Sequence, residues 1–173
     1  MKTHLNKSLI TKSLAALFIV LIILCIQSGH ALALEDSSQN GIEDLYNTAV
    51  FELLKLINAE RENVYVPALK LDETMQKAAN RRAYELLSKY SHDRPDGSNF
   101  STVFAEFNLS PHESAENIGW KNIEFDVAAF HKAFMGSRGH RLNMLNREYS
   151  IIGIGFSNED DKYYIVELFA DTP

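Results

Sequence analysis

The chain of 173 residues has very little of several residue types on which particular protein classes depend. Its one cysteine excludes an internal disulfide framework and a multi-cysteine zinc site. Four prolines and eight glycines are too few for a fibrous protein, and 46% hydrophobic residues are too many for a disordered one. The net charge of −6 lacks the basic excess that favours nucleic-acid binding, so we expect no nucleic-acid partner.

The N-terminus has the pattern of a secretory signal peptide. Three lysines and no acid precede an uncharged apolar run over Leu14–Ile26, and the small-residue motif Ala31–Ala33 follows. The run is shorter than the about 20 residues that a bilayer span requires. We therefore predict a signal peptide over residues 1–33, cleaved after Ala33, and a secreted or extracytoplasmic protein. The alternative is an uncleaved segment that anchors the chain in a membrane, which would be its only membrane contact.

Cleavage after Ala33 would change the composition of the chain. It removes three of the 17 basic residues, no acid and the single cysteine, leaving 14 basic against 23 acidic residues and a net charge of −9. A domain of about 140 residues buries close to two-thirds of its unfolded surface, so it can be stable without disulfides. Residues 34–41 are polar and predict a linker, and residues 42–173 show no second linker and predict one domain.

Hydrophobic periodicity predicts helices in the first part of that domain and strands at its end. A short helix is also expected over 138–146, whereas 115–120 is ambiguous. Two alternating runs around a polar turn at Asn158–Asp161 predict an antiparallel hairpin. Gly153 and Gly155 leave one face of its first strand without side chains, so another element can approach closely. This order of elements favours an α+β domain. The longer predicted helices cover about 44–62, 72–90, 100–109 and 126–137.

Histidines are the candidates for a polar site. His92, His112, His131 and His140 lie beyond the predicted signal peptide. Two imidazoles and a carboxylate can supply three ligands of a zinc site. Glu116 lies 24 residues from both His92 and His140, and that spacing has no ligand logic of its own. The spacing alone therefore favours a structural role over a metal site, with the histidines capping helices or forming hydrogen bonds to the backbone.

Other catalytic patterns are absent from the sequence. There is no G-x-S-x-G nucleophile elbow and no glycine-rich phosphate loop. Ser137 precedes His140 by three residues, which is common by chance. Arg94, Arg138 and Arg141 could bind an anion, but a solvated surface position is the stronger expectation.

Seven short segments carry a resemblance to a known family over about residues 48–171. Each alone is unspecific, but their order and spacing together are highly specific. They are Leu56–Arg61, Pro67–Asp72, Ala78–Arg82, Ser91–Gly97, Ala115–Ile118, Ser137–Leu145 and Gly153–Gly155. The set resembles the CAP superfamily of cysteine-rich secretory proteins, antigen 5 and pathogenesis-related proteins, and is most similar to its cysteine-free bacterial branch.

The resemblance implies a fold and a site. The implied fold is the CAP (SCP-like) α-β-α sandwich with a central antiparallel sheet. The implied site is a cleft that eukaryotic relatives line with two histidines and two glutamates, in some cases around zinc or another divalent ion. His92, Glu116 and His140 match three of these residues. Ser137 stands where the second glutamate belongs. The three matching side chains would either hold a divalent metal such as zinc or form a hydrogen-bond network that orders the cleft.

Three functions follow from this resemblance. The preferred one is a secreted, non-enzymatic module that binds an extracellular ligand or protein in the cleft, because the second glutamate is missing. The second is a divalent-metal-dependent hydrolase, either a peptidase or a cell-wall enzyme, which usually needs a carboxylate base besides its metal ligands. The third is lipid or sterol binding in a groove lined by Phe100, Phe104 and Phe107, although their helical spacing is more typical of core residues.

Overall fold

A computed structural model of the chain describes residues 41–122 and 124–171. The predicted signal peptide, its cleavage site and residues 34–40 of the predicted linker lie outside these residues. The chain divides into two units, residues 1–45 and residues 46–173. The described part of the first unit, residues 41–45, is helical. The layers and the site described below belong to the second unit.

The elements follow each other in the predicted order, helices first and the hairpin last. None of the helices in the described ranges has the length and apolar character needed to cross a bilayer. The elements are helix α1 (41–63), strand β1 (Lys70–Leu71), helix α2 (Glu73–Ser88), a 3-10 turn (Phe100–Thr102), helix α3 (Val103–Glu106), strand β2 (Ser114–Asn122), helix α4 (Val127–Gly136), helix α5 (Arg138–Met144), strand β3 (Ile151–Glu159) and strand β4 (Lys162–Ala170).

The sheet has four strands in the order β1-β3-β4-β2. Strands β3 and β4 form the predicted antiparallel hairpin, and its turn is tighter than expected because only Asp160 and Asp161 lie outside the ladder. The ambiguous segment over 115–120 belongs to β2, which pairs antiparallel with β4 over its whole length and lies at the sheet edge. The short β1 pairs parallel with β3.

Helices cover both faces of the sheet. Ile165 and Phe169 of β4 pack in one apolar cluster with α1, α4 and α5. The alternate residues Val166 and Leu168 pack in a second cluster with α2 and α3. Successive residues of a strand point to opposite faces, so the two clusters are the two layers of a sandwich. The predicted α-β-α sandwich is therefore confirmed, with an antiparallel sheet apart from β1.

The helix predicted over 100–109 is shorter in the structure. It consists of the 3-10 turn and the single turn of α3, and it ends where Asn108 adopts a left-handed backbone with φ of 57°. Asparagine tolerates that conformation and often ends helices. Phe104 is buried, and Phe100 and Phe107 pack against the same apolar cluster. These three rings belong to the core beneath α2 and α3.

Helix α2 is the element that lies directly on the glycine face of β3, where the sequence predicts only that another element can approach closely. A Cβ atom built on Gly153 would lie 2.1 Å from the Met75 carbonyl oxygen, and one built on Gly155 would lie 2.2 Å from the Ala79 carbonyl oxygen. Both distances are far below van der Waals contact, and both obstacles are backbone atoms. Only glycine allows the helix to pack at this depth.

We expect Gly155→Ala to destabilise the fold by about 3 kcal/mol, because the new methyl group must push α2 off the sheet. Gly136→Ala is the matched control, since a Cβ there meets nothing within 4 Å. Urea unfolding of both variants measures the difference. A Gly155→Ala protein as stable as the control would show that α2 is not seated as described.

Candidate functional site

The predicted site lies at the β2 edge of the sheet. Glu116 projects from β2 towards α2, and its carboxylate is completely buried. His92, in the loop after α2, bonds through Nδ1 to Glu116 Oε2 at 2.8 Å. A carboxylate only accepts, so the imidazole Nδ1 is the donor. The His92 side chain is 55% exposed, and this leaves its second ring nitrogen for a ligand.

Arg82 holds Glu116 from the other side. This guanidinium, buried on α2, donates from Nε to Glu116 Oε1 at 2.7 Å and from Nη2 to Oε2 at 3.3 Å. It also bonds to Glu85 Oε2 at 2.7 Å and to the Ser91 carbonyl oxygen at 2.9 Å. A buried charge needs this degree of pairing. The pair fixes the position of Glu116 and of the loop that carries His92.

The network of buried ion pairs extends from Arg82 through Glu85 to a second arginine, Arg94. Arg94 donates from Nη2 to Glu85 Oε1 at 2.6 Å and also bonds to Glu106. Burial opposes ionisation of Glu85, but the hydrogen bonds from Arg94 and Arg82 outweigh it and lower its pKa. The prediction of a solvated Arg94 is wrong, because carboxylates on α2 and α3 neutralise its charge inside the protein.

His140 lies on α5, in the helical layer on the other face of the sheet from Glu116, and its place in the site stays a prediction. Burial lowers the pKa of this half-buried imidazole, and the charge of His92 lowers it further. Its ring packs edge-on against Phe134 with the ring centres 4.7 Å apart. Asn117, the neighbour of Glu116 on β2, donates to the His140 carbonyl oxygen at 3.1 Å. Strand β2 thus lies between α2, which Glu116 faces, and α5, which carries His140.

Ser137 lies at the junction of α4 and α5, three residues before His140. It precedes α5 as the N-cap residue, yet its side chain makes no capping hydrogen bond. Its carbonyl oxygen accepts from the Arg141 backbone nitrogen at 2.9 Å. No bond in the described residues links its hydroxyl to Glu116. Its place in the cleft stays a prediction.

Glu116 is the least available of the predicted metal ligands. Both of its oxygens are engaged, one by Arg82 alone and the other by Arg82 and His92. Among residues 41–122 and 124–171, no group of three or more His, Cys, Asp or Glu side chains is arranged to hold a metal ion. The described side chains therefore do not fit a metal as they stand. A zinc ion held by His92, His140 and Glu116 stays a prediction. It requires Glu116 to give up a hydrogen bond to Arg82 or His92 and to bind the metal instead.

A second buried polar group lies behind His140. Glu167 of β4 is fully buried, and its Oε2 accepts from Asn117 Nδ2 at 2.8 Å. Its Oε1 has no hydrogen-bond partner within the described residues. Burial raises its pKa to about 8, against a smaller opposing effect of the bond from Asn117. Glu167 is therefore a neutral acid at pH 7, inside the layer that carries His140.

Arg82 and Glu167 were not predicted as parts of the site, although the sequence places both of them at apolar positions. Arg82 falls on the apolar stripe of α2 with Met75, Ala79 and Leu86, where a charge is out of place unless it is paired. Glu167 likewise lies on the same face of β4 as the buried apolar residues Ile165 and Phe169. A charged residue at a core position was the available indication of a buried polar network.

We expect Glu167→Gln to flatten the pH dependence of stability. The folded pKa of about 8 lies well above the ordinary pKa of a glutamate. Between these values the folded state binds more protons than the unfolded state, so stability falls as pH rises, by roughly 1.4 kcal/mol per pH unit. Glutamine removes this dependence. Urea unfolding from pH 5 to pH 8 measures it, with exposed Glu159→Gln as the control. Parallel curves for Glu167→Gln and wild type would contradict a buried neutral acid.

We expect the two site histidines to titrate on opposite sides of the ordinary histidine pKa. The bond to Glu116 raises the pKa of His92, and burial together with the charge of His92 lowers that of His140. Replacing His92 by Ala should therefore raise the pKa of His140. NMR titration of the ring protons in EDTA measures this, with the exposed His112→Ala as the control. No change at His140 would show that the two imidazoles do not share a cleft.

Residues 54–169 match the sequence model of the CAP family, described as the cysteine-rich secretory protein family. The Bacillus subtilis protein YkwD is 33% identical over 109 residues, which are 61% of this chain and 41% of YkwD. The chain thus spans less than half the length of that relative.

Two solved bacterial structures share the fold. One is an extracellular protein with an SCP domain from Bacillus anthracis, with a TM-score of 0.63 and 23% identity over 73% of this chain and 41% of that protein. The other is an outer surface protein from Borrelia burgdorferi, with a TM-score of 0.62 and 19% identity over 70% of this chain and 90% of that protein. At these identities the likeness establishes the fold alone.

Proposed function

Because the chain belongs to the CAP family of cysteine-rich secretory proteins, we propose that it is a secreted module that binds a ligand or protein partner in the cleft beside β2, without enzymatic activity. The predicted signal peptide supports secretion. The fold relatives support it as well, since one is an extracellular protein and the other an outer surface protein.

The engagement of Glu116 carries the non-enzymatic part of the proposal. A hydrolytic site of this kind needs a carboxylate that is free to activate water or to bind the metal. Glu116 is instead held by a buried arginine and by His92. The family resemblance assigns Ser137 to the position of the second glutamate, and serine offers no carboxylate in its place. Glu116 therefore acts as an anchor that orients the cleft.

The exposed ring of His92 carries the binding part of the proposal. Glu116 fixes the ring through Nδ1, so the free face is presented in one orientation, and a fixed group loses less entropy on binding. The raised pKa of His92 favours the protonated ring, which is a donor at both nitrogens. A partner with an acceptor such as a carboxylate or carbonyl oxygen suits this group.

The proposal predicts no hydrolysis of casein or of peptidoglycan, with or without added Zn²⁺, because Glu116 has no free oxygen for catalysis. Turnover assays with wild type and His140→Ala test this, and calorimetry with ZnCl₂ on the same proteins measures metal binding. Zinc-dependent turnover that is lost in His140→Ala would overturn the proposal in favour of the hydrolase.

A further inference from the structure

An apolar groove lies along α1, where two exposed aromatic rings stand beside it. The groove, of about 890 Å³, runs between α1 and the segment after it, and its apolar lining includes Leu54, Ala59, Val66 and Pro67. Phe51 and Tyr65 line it as well, and their exposed fractions are 64% and 89%. We call this surface the α1 groove.

The backbone holds the wall of the α1 groove rigidly. Tyr65 has a φ of 57°, a left-handed conformation that a non-glycine residue adopts at a cost. Arg147 donates to the Tyr65 carbonyl oxygen at 2.9 Å. Buried Arg61 donates to the Pro67 carbonyl oxygen at 2.7 Å, and its own carbonyl oxygen accepts from Val66 at 2.9 Å. These bonds fix the backbone at Tyr65, whose side chain is exposed.

Two charges of the α1 groove, those of Lys55 and Glu62, match those of a second copy of the same surface, while the third charged residue, Arg147, bonds to the Tyr65 carbonyl oxygen. Lys55 and Glu62 both line the α1 groove, and they lie seven residues apart on α1, hence on one face and about 10 Å apart. A two-fold axis near Asn58 and Ala59, with the helices antiparallel, sets Lys55 against Glu62 of the partner subunit. Symmetry repeats the pair on the other side of the axis. The small side chain of Ala59 lies where the helices must approach most closely.

We infer that the chain forms a two-fold symmetric homodimer through the α1 groove. The same axis places Phe51 of each subunit against the end of the groove formed by Tyr65 of the partner subunit. Each surface therefore provides both the protruding ring and the recess that receives it, as an isologous interface requires. The interface has the close approach of the helices at its centre, an ion pair on each side of the axis and an aromatic contact at each end.

Charge reversal tests this arrangement. Sedimentation velocity over a range of concentrations should show a dimer for the wild type. Lys55→Glu and Glu62→Lys should each weaken it about tenfold, because each change places like charges together twice. The double reversal of Lys55→Glu with Glu62→Lys should restore the wild-type affinity, since opposite charges then face each other again.

Tyr65→Asn should abolish the dimer while keeping a residue that tolerates the left-handed backbone. Tyr84→Ser, at an exposed tyrosine of α2 outside the α1 groove, should leave it unchanged. Thermal melts by circular dichroism verify that each variant is folded. A wild type that is monomeric at every concentration, a dimer that survives Tyr65→Asn, or a double reversal that stays as weak as the single variants would each overturn the inference.

Discussion

The ion pair between Arg82 and Glu116 is the interaction on which the site depends. Arg82 is fully buried on α2, and the Glu116 carboxylate is fully buried on the edge strand β2. Two charges removed from water cost several kcal/mol each unless they are paired and hydrogen-bonded. Here one guanidinium satisfies Glu116, Glu85 and the Ser91 carbonyl oxygen together. The pair thus joins α2, β2 and the loop of His92 at one point.

The pair forms only because α2 lies so close to the sheet. The carbonyl oxygens of Met75 and Ala79 lie over Gly153 and Gly155, and that of Ala83 accepts from the Ser157 hydroxyl at 2.6 Å. Four helical residues advance about 6 Å and two strand residues about 6.6 Å, so helix and strand stay in register over these three contacts. Bare glycines beneath the helix therefore set the depth at which Arg82 meets Glu116.

The fold could be predicted from the sequence to a large extent, and the site only in part. The helical stripes and the alternation around the hairpin depend on local spacing, which a sequence displays. Family resemblance indicated His92, Glu116 and His140. The roles of Arg82, Arg94 and Glu167 depend on which charges become buried together, and that is decided by strands and helices far apart in the chain. Ser137 and the metal stay predictions for the same reason, because the position of a hydroxyl or an ion is set by tertiary packing.

A double-mutant cycle on Arg82→Met and Glu116→Gln tests the central claim most directly. Removing one partner of a buried pair leaves an uncompensated charge and costs about 3–5 kcal/mol, whereas removing both charges costs far less than the sum. Urea unfolding of the two single variants and the double variant gives the coupling free energy. The structure predicts a coupling of at least about 2 kcal/mol. Additive losses, with a coupling near zero, would show that Arg82 does not hold Glu116 in the folded protein.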